Sequence, residues 1–337
     1  MTRRRLLVVG FATFAIAAVG GCEGGARFGR DSPAGPDSDG RFPLDPGERP
    51  LPDSLPVLTL SNAFRVSPLS RLGFGSGGWA AFSSDGRTLA FTTGAGLLRI
   101  YDADSHEEIA RWQAHRTTFA IDISPDDQLI ITGDEDGIVK YWGPLTGREI
   151  RSLDAHRDSI SEVRISHDGA LFATGSFDQT VKVWDLPTGR LLHLFKGHTD
   201  WVRRITFSPD GRLLSSGGID GAIWFWDPIY GGQLRTFTGH TDGIFILSVT
   251  HDGCWLISAG YDGDVRLWDP ATGLESHRIA DALDLPFDVA IDPDGTFGVI
   301  NRSNGSLQYL DLESGRECPP QGKPVPSSAS DSIPTAA

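Results

Sequence analysis

The sequence predicts an all-β fold, a ring of small four-stranded sheets, and three observations point there. The first is a 42-residue period: Trp142, Trp184, Trp226 and Trp268 recur at that spacing, as do Asp136, Asp178, Asp220 and Asp262. Thr132, Thr174, Ser216 and Ser258 keep the same phase, and His115, His156, His198 and His240 follow at 41, 42 and 42. The second is local: short β-rich runs alternate with turn signals, and no helical period occurs. The third is composition. Among 337 residues, 41 glycines and 21 prolines call for many turns, and 39% hydrophobic residues suffice for a core.

The copy that starts at Thr199 gives the grammar of one repeat. Val202 to Phe207 reads as a first strand, and Ser208-Pro209-Asp210-Gly211 fits a type I turn with Pro at its second place. Leu213 to Ser216 is the second strand, after which Ile219-Asp220-Gly221 turns the chain. Ile223 to Trp226 is the third and, past Gly231-Gly232, Gln233 to Phe237 the fourth. Asp168-Gly169, Asp252-Gly253 and Asp294-Gly295 repeat the first turn in phase. Four short strands make one sheet, and a radial ring of such sheets hides their edges, which is a β-propeller.

The motifs that close each copy, Val183-Trp184-Asp185, Phe225-Trp226-Asp227 and Leu267-Trp268-Asp269, resemble the Trp-Asp ending of WD repeats. Gly197-His198 and Gly239-His240 resemble their Gly-His opening, with Ala114-His115 and Ala155-His156 as near variants. The resemblance covers about residues 57–317. Two copies diverge: the first ends Tyr101-Asp102, and the last has Asn304 at the aspartate position and Leu310-Asp311 at its end. Divergent end repeats are expected where a ring closes. We therefore expect a single propeller of six four-stranded blades over 57–318, with seven the alternative. Val57 to Leu60 would supply the outer strand of the last blade. Closure from Gly315 onward is the other route, which Pro319-Pro320 would interrupt.

Outside this domain the chain carries an address and two tails. Arg3 to Arg5 precede an apolar run from Leu6 to Val19, too short to span a bilayer comfortably. Residues 1–21 read as a signal peptide, and Val19-Gly20-Gly21-Cys22 resembles the lipobox of bacterial lipoproteins, which implies lipidation of Cys22. An ordinary signal with a chance cysteine, or an uncleaved anchor, is the alternative. Thr2 to Leu7 also resembles a twin-arginine signal, so the export route stays open. Residues 22–56 read as a lipidated cysteine and flexible tether, and 319–337 as a disordered tail rich in Pro, Ser and Ala. The expected place is the membrane surface of a bacterial envelope, on the periplasmic or extracellular side.

Charge and motif content narrow the function. A net charge of −14, with only four lysines (Lys140, Lys182, Lys196, Lys323), repels phosphate backbones and argues against nucleic acid. Three cysteines (Cys22, Cys254, Cys318) make no disulfide framework, and Cys254 reads as a small apolar filler on a strand. No phosphate-binding glycine loop or His-Glu-x-x-His zinc motif occurs, so no metal or cofactor is expected. His198, Ser216 and Asp220 invite a catalytic-triad reading. The WD resemblance instead implies a buried hydrogen-bond chain in each blade, joined by the tryptophan. An enzyme needs one such site, and the sequence has four.

We therefore expect a non-enzymatic scaffold that binds protein partners. The rival is an exported propeller enzyme or small-ligand binder using the central channel, whose innermost strands offer mostly apolar residues with Arg203 and Arg204. The WD resemblance implies contacts at the start of the innermost strand, here Trp201, Arg203 and Phe245. It also implies contacts just before the turn aspartate, here Glu135, Phe177, Ile219 and Tyr261. Aromatics and arginine dominate interface hot spots.

Overall fold

The computed structural model describes residues 78–103, 105, 107–279, 285–291, 296–303 and 306–317. The leader, Cys22, the tether, the expected closing strand Val57 to Leu60, Asn304 and the tail lie outside the described residues. The described chain is all-β, with six antiparallel sheets in chain order. The first sheet holds β1 (Gly78–Phe82), β2 (Thr88–Thr93), β3 (Leu97–Asp102) and β4 (Glu108–Gln113). The second holds β5 (Ala120–Ile123), β6 (Ile130–Gly133), β7 (Ile138–Trp142) and β8 (Glu149–Asp154). The third holds β9 (Ile160–Ile165), β10 (Leu171–Ser176), β11 (Thr180–Asp185) and β12 (Leu191–Lys196). The fourth holds β13 (Val202–Phe207), β14 (Leu214–Gly218), β15 (Ala222–Trp226) and β16 (Gln233–Thr238). The fifth holds β17 (Ile244–Val249), β18 (Leu256–Gly260), β19 (Val265–Trp268) and β20 (Glu275–Ile279). The sixth has β21 (Pro286–Ile291), β22 (Phe297–Arg302) and β23 (Leu307–Asp311).

The turn between first and second strands is built by side chains as well as backbone. Ser208 Oγ donates to Asp210 Oδ1 at 2.6 Å and accepts the Leu213 N–H at 2.9 Å, while the Gly211 N–H closes on the Ser208 carbonyl at 2.9 Å. Gly211 takes a φ of +69°, which a glycine adopts without penalty. Ser166 with Asp168 and Thr250 with Asp252 repeat the arrangement. The second sheet keeps the arrangement with Ser124 and Asp126 but lacks the glycine. Asp127 holds the left-handed position at φ +59°, and its carboxylate reaches Ser84 of the first sheet, accepting from N at 2.7 Å and Oγ at 2.9 Å.

In the first five sheets the first strand is more buried than the fourth. In β9 five of six residues are buried, whereas β12 has one. Successive first strands pack side by side, β1 on β5, then β9, β13, β17 and β21, so the sheets stack through their inner edges. Small residues allow the approach: a Cβ on Gly217 would come 2.9 Å from Ile244 of the next sheet. Carboxylates also link neighbours. Asp122 Oδ2 accepts the Ile165 N–H at 2.8 Å, and Glu162 Oε2 accepts the Ile205 N–H at 2.8 Å, each from the next first strand.

This architecture is consistent with a β-propeller. The sixth sheet has three strands plus one isolated bridge, Leu310 to Glu317, equivalent to the Trp268–Glu275 pairing that starts the fourth strand of the fifth sheet. Glu317 thus stands where the outer strand would begin, on the alternative closure route.

Candidate interaction face and the buried hydrogen-bond sets

Every sheet from the second to the fifth contains a closed polar chain. In the fourth, Trp226 Nε1 donates to Ser216 Oγ at 2.9 Å, Ser216 Oγ lies 2.8 Å from His198 Nε2, and His198 Nδ1 lies 3.0 Å from Asp220. The third joins Trp184, Thr174, His156 and Asp178 by contacts of 3.0, 2.7 and 3.0 Å. The fifth joins Trp268, Ser258, His240 and Asp262 by contacts of 2.8, 2.7 and 2.9 Å. Because a carboxylate only accepts, the imidazole Nδ1 carries the proton and Nε2 accepts from the hydroxyl. Each donor then has an acceptor. Thr132, Thr174, Ser216 and Ser258 are fully buried, and each hydroxyl is already engaged by its tryptophan and its histidine.

The second sheet corrects one expected member. His115 Nε2 lies 2.7 Å from Thr132 Oγ1, which takes the Trp142 N–H at 2.8 Å, but His115 Nδ1 meets Asp134 at 2.8 Å rather than Asp136. Asp136 is exposed. The cause lies two residues before the turn aspartate, where the other sheets have Ser176, Gly218 and Gly260. A Cβ on Gly218 would sit 2.6 Å from His198 Nδ1 and 2.7 Å from Asp220 Oδ1. Asp220 reaches its histidine across that vacant spot; Asp134 starts from it, fills it, and leaves Asp136 to solvent.

Burial opposes charge on these aspartates, but their histidine and backbone N–H donors outweigh it and hold Asp134, Asp178, Asp220 and Asp262 below the usual carboxylate range. Burial also pushes His156 and His240 down, despite the carboxylate beside each. A depressed histidine binds fewer protons folded than unfolded, so its stabilisation is present above the ordinary value of 6.5 and is lost as pH falls below it. The aspartates add a second loss, which starts near their ordinary 3.8 and deepens as pH falls through the folded values. These two signs agree, whereas Asp122, which burial pushes up, has the opposite sign; in an Asp122→Asn background the melting temperature should therefore be level between about pH 8 and 7 and then fall on acidification. A melting temperature that rises between about pH 7 and 5 in that background would contradict this account of the buried histidines.

The end of the sheets that carries the second-to-third-strand turns also carries the starts of the first strands. Here the Phe177 ring of the third sheet stacks on Trp201 of the fourth, with centroids 4.3 Å apart and planes 7° apart. The Arg203 guanidinium lies 5.7 Å from the Phe177 centroid. Trp201 and Tyr261 are each 45% exposed. Backbone bonds fix the framework: the Ile219 N–H donates to the Trp201 carbonyl at 2.9 Å, and the Tyr261 N–H to the Gly243 carbonyl at 2.9 Å. Ile219, half-buried, lies over Gly243. Glu135, also half-buried, accepts at its backbone carbonyl from Ser159 Oγ at 3.0 Å. Phe245 is a correction. It is 8% exposed, sits in the core between the fifth and sixth sheets, and supports the Tyr261 ring from 4.7 Å, so it braces the face and is not a contact.

The inner strands are more charged than expected. Asp122, Glu162 and Arg164 join Arg204 there, and Glu162 pairs with Arg164 at 2.5 Å. Burial pushes the Asp122 carboxyl up against the pull of Arg164. The signal was present, since Asp122 is in phase with Arg164, and Glu162 with Arg204, at the 42-residue period. Among the described residues no group of three His, Cys, Asp or Glu could hold a metal ion. No helix among them is long and apolar enough to cross a membrane. Cys254 is not a strand filler: it lies exposed in the turn before β18.

Four consecutive segments, residues 106–143, 147–185, 189–227 and 231–269, match the WD40 family, described as WD domain, G-beta repeat. Each runs from the outer strand of one sheet through the third strand of the next, so a sequence repeat binds two sheets together. The chain thus carries WD40 repeats across the middle of the array. It is similar to the mouse periodic tryptophan protein 2 homolog (36% identity over 78 residues, 23% of this chain and 8% of that protein). The Caenorhabditis elegans WD repeat-containing protein 20 homolog is 28% identical over 116 residues, 33% of this chain and 15% of that protein. Drosophila melanogaster WD repeat-containing protein 82 is 31% identical over 77 residues, 22% of this chain and 24% of that protein. The matches therefore span a quarter or less of each relative.

Proposed function

We propose that the chain is a non-enzymatic WD-repeat scaffold that binds protein partners at the membrane surface of a bacterial envelope. WD-repeat proteins commonly bind protein partners. The observation that carries the reading is a pair of half-exposed rings on one end of the sheets, Trp201 stacked on Phe177, which Arg203 also approaches, and Tyr261 leaning on Phe245. Rigid aromatics with an arginine are what an interface centre uses, and an ordinary solvated turn favours small polar groups. The charged residues of the inner strands do not favour the rival channel site, because Asp122 and Glu162 bond backbone N–H groups of the neighbouring sheet. Affinity capture from native membranes, run with wild type and with a Trp201→Ala/Tyr261→Ala variant, tests the proposal. A stoichiometric partner that the variant loses supports it; identical capture by a folded variant overturns it.

The anchoring part rests on the basic start Arg3 to Arg5, the apolar run from Leu6 to Val19 and the Val19-Gly20-Gly21-Cys22 motif. In this reading residues 1–21 are removed, Cys22 is lipidated, and residues 23–56 tether the domain. Each buried lipid CH₂ contributes about 0.8 kcal/mol, so two or more chains outweigh any charge attraction to the bilayer. Cys22→Ser should move the exported protein to the soluble fraction. Retention of that variant on membranes through a high-salt wash would exclude the lipid anchor.

A further inference from the structure

At the opposite end of the sheets, a cleft of about 490 Å³ opens between the second and third sheets. Its walls include Leu129 and Leu186, its inner side holds Tyr141 and Arg151, and Asp126 and Asp168 stand on its exposed rim. Tyr141 is 3% exposed, and its hydroxyl has no hydrogen-bond partner; neither does the buried Nη1 of Arg151. The two belong together: β7 and β8 pair Tyr141 with Arg151, and the guanidinium lies 5.5 Å from the tyrosine ring centroid.

The neighbouring sheets indicate that this pairing is unusual. In the next three sheets the residue in phase with Tyr141 is Val183, Phe225 or Leu267, and in the sixth it is Tyr309, itself 5% exposed, so two of the sheets bury a tyrosine at that place. In the third and fourth sheets the residue that pairs with it in the outer strand bridges to the next sheet. His193 Nε2 bonds the Ile229 carbonyl at 3.1 Å, and Arg235 Nη1 bonds the Pro270 carbonyl at 3.1 Å. Arg151 occupies the same slot, but its Nη1 makes no such bond. A buried donor left unmade costs about 1–3 kcal/mol, so two side by side in an open cleft are a standing demand for an acceptor. Burial raises the Tyr141 hydroxyl, which keeps it protonated and able to donate.

The rim has the opposite character. Asp126 and Asp168 each accept from their own turn, at Ser124 Oγ and Ser166 Oγ, and these bonds hold both carboxyls below the usual range and ionised. Donors inside, apolar walls and anions at the mouth suit one kind of small molecule. We propose that this cleft binds a free apolar α-amino acid, its carboxylate on Tyr141 and Arg151, its side chain against Leu129 and Leu186, and its ammonium toward Asp126 and Asp168.

Calorimetric titration of the full chain with L-leucine, N-acetyl-L-leucine and L-leucinamide tests this. L-Leucine should bind saturably, and the two blocked compounds, each lacking one charge, should bind about tenfold more weakly or worse. Tyr141→Phe removes a buried hydroxyl that the fold leaves unpaired, so its melting temperature should not fall, while its affinity for L-leucine should drop about tenfold or more. Arg151→Gln should weaken leucine as much. Absence of saturable leucine binding in the millimolar range overturns the proposal, as does binding left unchanged in both variants. Equal affinity for N-acetyl-L-leucine overturns the amino-acid assignment.

Discussion

Trp226→Ala is expected to lower the unfolding free energy by about 3–5 kcal/mol, the range for large-to-small changes in a packed core. Trp226 is 2% exposed, with its ring between Phe195 of the preceding sheet at 4.9 Å and Trp224 at 5.2 Å, both nearly parallel to it. Removing it opens a cavity at a joint between two sheets, because Phe195 belongs to β12 and Trp226 to β15. It also strips Ser216 Oγ of its donor, a smaller loss of about 0.5–1.5 kcal/mol net. Magnitude therefore assigns most of the effect to packing and the minor share to the hydrogen bond. Trp226→Phe separates the two, since it keeps most of the ring and loses the N–H; it should fall well short of the alanine cost. Urea unfolding of the pair gives both numbers. A Trp226→Ala loss below about 1 kcal/mol would mean that the ring carries no core packing.

The same set marks how far sequence could go. The strands of the fourth sheet were legible to within a residue or two, because Ser208-Pro209-Asp210-Gly211 and Ile219-Asp220-Gly221 are turns whose chemistry is local. The sharing of one buried hydroxyl by tryptophan and histidine followed from recurrence in phase. Asp134 was not legible by phase, since phase assigns the role by position and an aspartate two residues earlier takes it by geometry. Nor was the burial of Phe245. Register shifts between Ile244 and Ile246, as it does between Val202 and Arg204, so Phe245 and Arg203 sit at bulges. A bulge breaks the period of two from which facing is read. Thus Arg203 reaches the Phe177 ring while Phe245, in phase with it, turns into the core. The empty slot of Arg151 was beyond sequence altogether, since it depends on the bonds that His193 and Arg235 make across sheets.

Trp201→Ala and Tyr261→Ala should each cost about 2 kcal/mol or more of partner affinity, roughly thirtyfold in Kd, while the fold stays nearly intact. The two rings differ in how they are held. Trp201 lies flat on Phe177 at 4.3 Å, so one face is covered by the third sheet and the indole is fixed in place before any partner arrives. Tyr261 leans on the buried Phe245 at 4.7 Å, with planes 37° apart. Both keep 45% of their surface in water, and a partner that covers it gains apolar burial without ordering a loose side chain. Their role in the free protein is smaller. Loss of the Trp201–Phe177 stack removes one aromatic pair, about 0.5–1.5 kcal/mol, from a joint that also has backbone bonds and core contacts. Affinity should therefore fall more than stability, which calorimetric unfolding and partner titration of the same two variants will compare directly. Early melting with unchanged partner affinity would make these rings part of the packing between sheets and would move the binding face elsewhere.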